Sequence, residues 1–146
     1  MKLENPSFFQ IIRAPFLSSI YTPLIIGTLA AVAISESFSI LGFIFVFIMG
    51  TGLHIATNVY NDIYDTIQGT DKVNVHRNEF SGGSGILLDR PDLMSKLYAI
   101  SRWSLVIALF ATVILTFLID RNLWPHLWVL YLLSVFFSKF LYSLLS

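Results

Sequence analysis

The sequence predicts an all-α fold, a polytopic membrane helical bundle with about four transmembrane helices. Of its 146 residues, 55% are hydrophobic and only 12% are charged, whereas soluble domains typically contain about 25% charged residues. The mean hydropathy is +0.74, and long apolar runs alternate with short polar segments. Because a helix of about 20 apolar residues crosses a bilayer, this pattern predicts an integral, multi-pass membrane protein that contacts lipid along most of its length.

Four apolar runs define a single predicted membrane domain. The first two are long enough to cross the bilayer, and the third is long enough if residues 97–100 lie in the interface with Arg102. The shorter fourth run reaches that length if Lys139 extends its side chain to the interface. The spans are predicted at about 15–35, 38–60, 98–119 and 123–144. The short connection at Glu36 and Ser37 predicts an antiparallel hairpin, and the polar segment 61–96 predicts a long loop.

The basic residues predict the orientation of the chain. An odd–even arrangement of spans places eight of the nine Lys and Arg residues on the side of the N-terminus and the 61–96 loop, and only Arg121 on the other. Basic residues concentrate on the cytoplasmic side of membrane proteins, so the N-terminus and this loop are predicted to be cytoplasmic. The formal net charge of zero gives no indication of a nucleic-acid partner, and the absence of cysteine excludes thiolate metal sites.

Polar residues gather where the second apolar run ends. In a helix, Asn58, Asp62 and Asp65 share one face, and Asp71 follows soon after. Ionisable groups at a membrane boundary are usually functional, and Mg²⁺ prefers one or two carboxylates together with phosphate oxygens. The ordered set Asn58, Asn61, Asp62, Asp65 and Asp71 is predicted to bind a metal or a substrate. The alternative is that these acids are solvated boundary residues.

The 61–96 loop adds basic and glycine-rich features. Lys72 and Arg77 beside a carboxylate–Mg²⁺ site suit a diphosphate ligand, whereas Arg90 is interpreted as a determinant of topology. The backbone amides of residues 81–85 form either an anion-binding nest or a hinge. Gly69 predicts a helix end, and Pro91 predicts a new helix start.

These residues resemble a known family. Asn61-Asp62-Ile63-Tyr64-Asp65, followed by Gly69-Thr70-Asp71, is similar to the first aspartate-rich motif of the UbiA-type intramembrane prenyltransferases. The spacing looks most like the 1,4-dihydroxy-2-naphthoate polyprenyltransferase branch of menaquinone biosynthesis. Arg13 before the first span and the glycine-rich turn fit that branch.

The resemblance implies Mg²⁺-dependent transfer of a polyprenyl group from its diphosphate to an aromatic quinone precursor such as 1,4-dihydroxy-2-naphthoate, in a bacterial cytoplasmic membrane. It implies catalytic roles for Asp65 and Asp71, which hold the metal together with Asn61. The implied substrate-binding residues are Arg13, Asn58, Asp62, Lys72 and Arg77.

The family has about nine membrane helices and a second aspartate-rich motif. After Asp92 this chain contains only one further acid, Asp120, so it is expected to represent the N-terminal half, to need a missing C-terminal half or self-association, and to transfer prenyl groups poorly alone. The alternatives are a truncated membrane protein that binds Mg²⁺ and prenyl diphosphate, or a small transporter. A transporter is less favoured because its site typically lies at the bilayer midplane.

Overall fold

A computed structural model describes residues 5–73 and 84–140, and every regular element in these two ranges is helical. The long helices are α2 (Ser18–Ser35), α3 (Ile40–Gln68), α6 (Met94–Leu118) and α7 (Trp124–Val135). The short ones are α1 (Phe8–Ile11), α4 (Thr70–Val73) and α5 (Ile86–Asp89). Single turns of 3-10 helix at Ala14–Leu17, Pro91–Leu93 and Arg121–Leu123 lead into α2, α6 and α7.

Three helical segments among the described residues are long and apolar enough to cross a membrane. They are Ala14–Ser35, Ile40–Gln68 and Pro91–Leu118, of 22, 29 and 28 residues. At 1.5 Å per residue, a helix of the length of α3 is about 44 Å long, which exceeds the roughly 30 Å of bilayer hydrocarbon. Helix α3 is therefore longer than the hydrocarbon layer is thick, and its last turns carry the polar residues.

The fourth apolar run is helical as far as the structure describes it. Helix α7 continues as a π-helix over Phe136–Phe140, and the final residues of the predicted span 123–144 lie outside the described ranges. The indole Nε1 of Trp128 donates to Thr116 Oγ1 at 3.1 Å, and the hydroxyl of Tyr131 donates to the carbonyl of Leu105 at 3.4 Å. These contacts pack α7 antiparallel to α6.

The polar connection 61–96 begins and ends in helix. Helix α3 continues through Gln68 because Ile63, which is fully buried, packs with Tyr60 and Leu97 in an apolar cluster. Gly69, with φ of 79°, ends the helix as predicted. The predicted helix start at Pro91 is also confirmed, and residues 94–96 already belong to α6.

Helices α2 and α3 form the predicted antiparallel hairpin. Glu36 ends α2 in the left-handed region with φ of 53°, and the hydroxyl of Ser39 accepts the Gly42 amide at 3.1 Å to cap α3. Across the hairpin, the rings of Tyr21 and Phe47 stack with centroids 4.4 Å apart. The start of α2 and the end of α3 consequently lie at the same end of the bundle.

The most extensive helix contact joins α3 to α6. At Gly52 the two backbones approach so closely that an added Cβ would lie 2.7 Å from the carbonyl oxygen of Ser104 and 3.1 Å from the Cβ of Ala108. Small residues at such crossings are typical of membrane helices, because close backbone approach increases van der Waals contact. The crossing fixes α3, and with it the polar residues that α3 carries.

The apolar core lies beside the polar end of α3. Its buried members come from α1, α3, α5 and α6: Ile11, Val59, Tyr60, Ile63, Ile86, Leu87 and Leu97. Around this cluster the short helices α1 and α5 close on α3. The core therefore holds the segment around Asp62 between fixed neighbours.

Candidate functional site

The structure brings most of the predicted site residues together at the end of α3. Asn61 Nδ2 donates to Asp65 Oδ2 at 2.6 Å, and both residues are half-buried. Asp71, only 1% exposed, accepts the hydroxyl of Thr66 at Oδ2 over 3.2 Å. The charges of Asp65 and Asp71 repel each other. The three predicted metal ligands thus converge at one end of the bundle.

Asp62 occupies the buried side of the same site. Its side chain is almost completely inaccessible, and its Oδ1 accepts the backbone N–H of Ser84 at 3.0 Å. The guanidinium Nη1 of Arg13 lies 3.6 Å from that oxygen. The other oxygen, Oδ2, has no hydrogen-bond partner. A buried polar group without a partner destabilises a fold by about 1–3 kcal/mol, and a charged group by more.

Arg13 reaches Asp62 from an unusual backbone conformation. Its φ and ψ are both 54°, in the left-handed region, which costs an L-residue roughly 1–2 kcal/mol. The guanidinium also lies 4.2 Å from the ring centroid of Phe16. Residues held in sparsely populated conformations cluster at functional sites. The strain at Arg13 coincides with its contact to the buried acid.

Asn58 lies one turn before Asp62 on the same face of α3. Its Nδ2 is buried and has no partner. Among the described residues, this nitrogen and Asp62 Oδ2 are the two buried side-chain polar atoms that make no hydrogen bond. Buried polar groups are normally hydrogen-bonded, so this pair is exceptional.

The remaining predicted site residues are less informative. Arg77 and residues 81–83 of the glycine-rich turn lie outside the described ranges, and the backbone of Lys72 lies in α4 while its side chain is not described. Within the described part of that turn, the Ser84 amide binds Asp62. An N–H predicted to bind a ligand anion therefore binds the protein's own carboxylate.

Two hydrogen-bond partners at this site were not predicted from sequence. One is the Ser84 amide, for which the glycine-rich turn gave a partial signal, since such turns expose backbone N–H groups. The other is the Thr66 hydroxyl beside Asp71, for which the sequence gave no signal. Both hold an acid in place.

The oxygen atoms at this site are of the type that binds a hard divalent cation. Asn61, Asp65 and Asp71 offer carboxylate and carboxamide oxygens, which are the ligands that Mg²⁺ prefers. However, residues 5–73 and 84–140 contain no group of three or more His, Cys, Asp or Glu side chains arranged to hold a metal. The residues present fit an ion held by one or two carboxylates and completed by ligand phosphate oxygens.

A cavity of about 430 Å³ lies between α2, α3 and α7, away from the acids. Its walls are largely apolar, including Ile20, Leu24 and Leu130, with His54 and Ser134 as polar members. The imidazole Nε2 of His54 lies 3.5 Å from the Ser19 hydroxyl. That contact links α2 to α3.

Arg90 is engaged by its neighbours. Its Nε and Nη2 donate to Asp92 at 2.8 and 2.7 Å, and its Nη1 donates to the Asn5 side chain at 3.3 Å. The bonds to Asp92 raise the pKa of Arg90. Arg90 thus joins the N-terminal segment to the start of α6.

Comparison with known proteins adds no relative. No family model, no curated protein and no solved structure matches this chain.

Proposed function

We propose that this chain carries the metal–diphosphate site of an intramembrane aromatic prenyltransferase of the UbiA type. The reaction is the Mg²⁺-dependent transfer of a polyprenyl group to a quinone precursor such as 1,4-dihydroxy-2-naphthoate, in menaquinone biosynthesis. The observation that carries the proposal is the convergence of Arg13, Asp62, Asp65 and Asp71 at the end of a helix that is apolar for most of its length.

The proposed roles follow from burial and charge. Asn61 and Asp65 are half-buried and hydrogen-bonded to each other, so with Asp71 they are the proposed metal ligands. When bound, Mg²⁺ would neutralise diphosphate charge and favour its departure. Arg13, Lys72 and Arg77 are the proposed cationic contacts to the remaining phosphate oxygens. The apolar helices exclude water from the reacting allylic group.

The proposed protein is embedded in a bacterial cytoplasmic membrane with four spans, and α7 belongs to the fourth. The basic end of the bundle, with the N-terminus, is the proposed cytoplasmic side. Since the chain has no cysteine, single cysteines at exposed Asp89 and Asn122 report on topology directly. They should react with an impermeant thiol reagent from opposite faces, and labelling of both from one face would contradict the arrangement.

Ligand binding tests the metal–diphosphate site without requiring turnover. The chain is reconstituted in lipid vesicles, and the binding of a labelled polyprenyl diphosphate is measured with and without Mg²⁺. Asp65→Asn should weaken the Mg²⁺-dependent binding by at least 10-fold, since it removes a charged metal ligand at nearly constant volume. Asp92→Asn is the matched control, because Asp92 is exposed and paired to Arg90. Equal binding by both variants would overturn the assignment.

A second candidate function is ligand binding without complete catalysis. It is favoured by the donor set, because the described residues gather fewer than three acids at any point suited to a metal. A diphosphate carries roughly three negative charges at neutral pH, which one such set neutralises only in part. In that case a partner half or a second copy supplies further carboxylates. Prenyl transfer by the monomeric chain at ordinary enzyme rates, about 1 per second or more, would exclude this candidate.

A further inference from the structure

Asn58 and Asp62 present two unsatisfied polar atoms of opposite hydrogen-bonding character. The Nδ2 of Asn58 is a donor and the Oδ2 of Asp62 is an acceptor, and both are buried without a partner. The side chain of Asp62 is 2% exposed, and its other oxygen already has the Ser84 amide at 3.0 Å and Arg13 at 3.6 Å. The side chain of Ser84 also interacts with this carboxylate. These contacts orient the carboxylate, and Oδ2 itself makes no hydrogen bond.

The spacing of the two residues restricts the ligand group. Positions i and i+4 of a helix are neighbours on one face, so the donor and the acceptor stand one turn apart. A carbonyl oxygen would satisfy only Asn58, and an ammonium group would satisfy only Asp62. A hydroxyl satisfies both, because its oxygen accepts one hydrogen bond while its hydrogen is donated in another.

We propose that Asn58 and Asp62 bind a hydroxyl group of the aromatic acceptor. The hydroxyl oxygen accepts from Asn58 Nδ2, and the hydroxyl hydrogen is donated to Asp62 Oδ2. The identity of the ligand as an acceptor rests on the proposed function. The assignment divides the polar end of α3 between two tasks: Asn61 and Asp65 serve the metal, and Asn58 and Asp62 select and orient a hydroxylated ring.

Three ligands that differ only at one ring position test the proposal. They are 4-hydroxy-2-naphthoate, 4-methoxy-2-naphthoate and 2-naphthoate, and their binding to the reconstituted 146-residue chain is measured by calorimetry. Since a hydrogen bond to a buried charge is strong, the hydroxy compound should bind roughly 10-fold or more tightly than 2-naphthoate. The methoxy compound, which cannot donate, should not show this gain.

Two variants test whether Asn58 and Asp62 cause the preference for the hydroxy compound. Asn58→Leu and Asp62→Asn should each reduce the preference for the hydroxy compound at least several-fold. Asn58→Leu should also raise the thermal stability of the ligand-free protein, because it removes an unsatisfied buried donor. This variant keeps the test valid even where Asp62→Asn fails to fold. The control is Thr57→Val, which is isosteric and lies on the same helix next to Asn58.

The outcomes separate this inference from the proposed function. A hydroxyl preference that both variants reduce and Thr57→Val retains supports the inference. Equal binding of all three ligands, or a preference that Asn58→Leu leaves unchanged, overturns it and leaves only a buried water between the two residues. Mg²⁺-dependent binding of polyprenyl diphosphate is measured on the same vesicles, so loss of that binding with an intact hydroxyl preference rejects the proposed function alone.

Discussion

The two faces of α3 are packed in different ways. Towards α6, the backbone of Gly52 lies against the backbone of Ser104, and fully buried small residues such as Ala56 and Ala108 line the contact. Towards α2, the contacts are made by long side chains, and a cavity of about 430 Å³ lies between the helices. No residue of α2 is buried. Helix α3 is therefore packed tightly against α6 and loosely against α2.

The difference is the one expected of helices that are long and apolar enough to cross a membrane. Lipid tails are as apolar as leucine, so large apolar side chains gain little by contacting each other instead of lipid. Small residues gain more, because they allow backbones to approach. At the polar end, contacts of another kind tie both partners to α3: Arg13 precedes α2 and faces Asp62, while Leu97 of α6 is buried against Tyr60 and Ile63. The candidate site therefore lies at the polar end of α3, where residues from both neighbours contact this helix.

The largest effect should come from a leucine on the tight face. Leu97 is fully buried in the core cluster, so Leu97→Ala should lower the free energy of unfolding by about 2–5 kcal/mol. Its counterpart on the loose side is Leu29 of α2, which is 64% exposed. Leu29→Ala should change the stability by no more than about 0.5 kcal/mol. Unfolding in detergent, followed by circular dichroism, measures both, and equal losses would remove the distinction between the faces.

A smaller loss is expected at the helix crossing. In Gly52→Ala the new Cβ would meet the Ser104 carbonyl oxygen at 2.7 Å, and a backbone atom cannot rotate away. The helices must separate, so the free energy of unfolding should fall by about 1–3 kcal/mol. The same unfolding assay measures this loss. A variant as stable as the wild type would show that α3 and α6 are not in close backbone contact.

Much of the local architecture could be predicted from the sequence. Gly69 and Pro91 mark the helix end and start that the structure shows, because a left-handed cap and a fixed φ are local requirements. The gathering of Asn61, Asp65 and Asp71 was also predictable, since helical periodicity places the first two together. Residues 61–68 at the start of the polar connection stay helical, because Ile63 is buried in the apolar cluster.

The tertiary contacts of the site could not be predicted in the same way. The Ser84 amide reaches Asp62 across 22 positions of sequence, and no local pattern specifies that return. In the sequence, Gly52 is one more small residue in an apolar run. Its role in the helix crossing becomes visible only from the position of Ser104 in the structure. The left-handed conformation of Arg13 is likewise unexpected for a residue with a Cβ.

The smallest effect should come from another glycine of α3, Gly50, which lies two positions before Gly52. A Cβ at Gly50 would lie 3.1 Å from Leu24 Cδ1 and 3.4 Å from Ile20 Cγ1. Both are side-chain atoms of α2, and both residues line the cavity, so they have space to shift. Alanine also favours the helix by about 1 kcal/mol relative to glycine. Gly50→Ala should therefore change the free energy of unfolding by less than about 1 kcal/mol, with either sign. Measured beside Gly52→Ala, it compares the same substitution on the two faces of one helix, and a loss at Gly50 as large as that at Gly52 would show that α2 is held as tightly as α6.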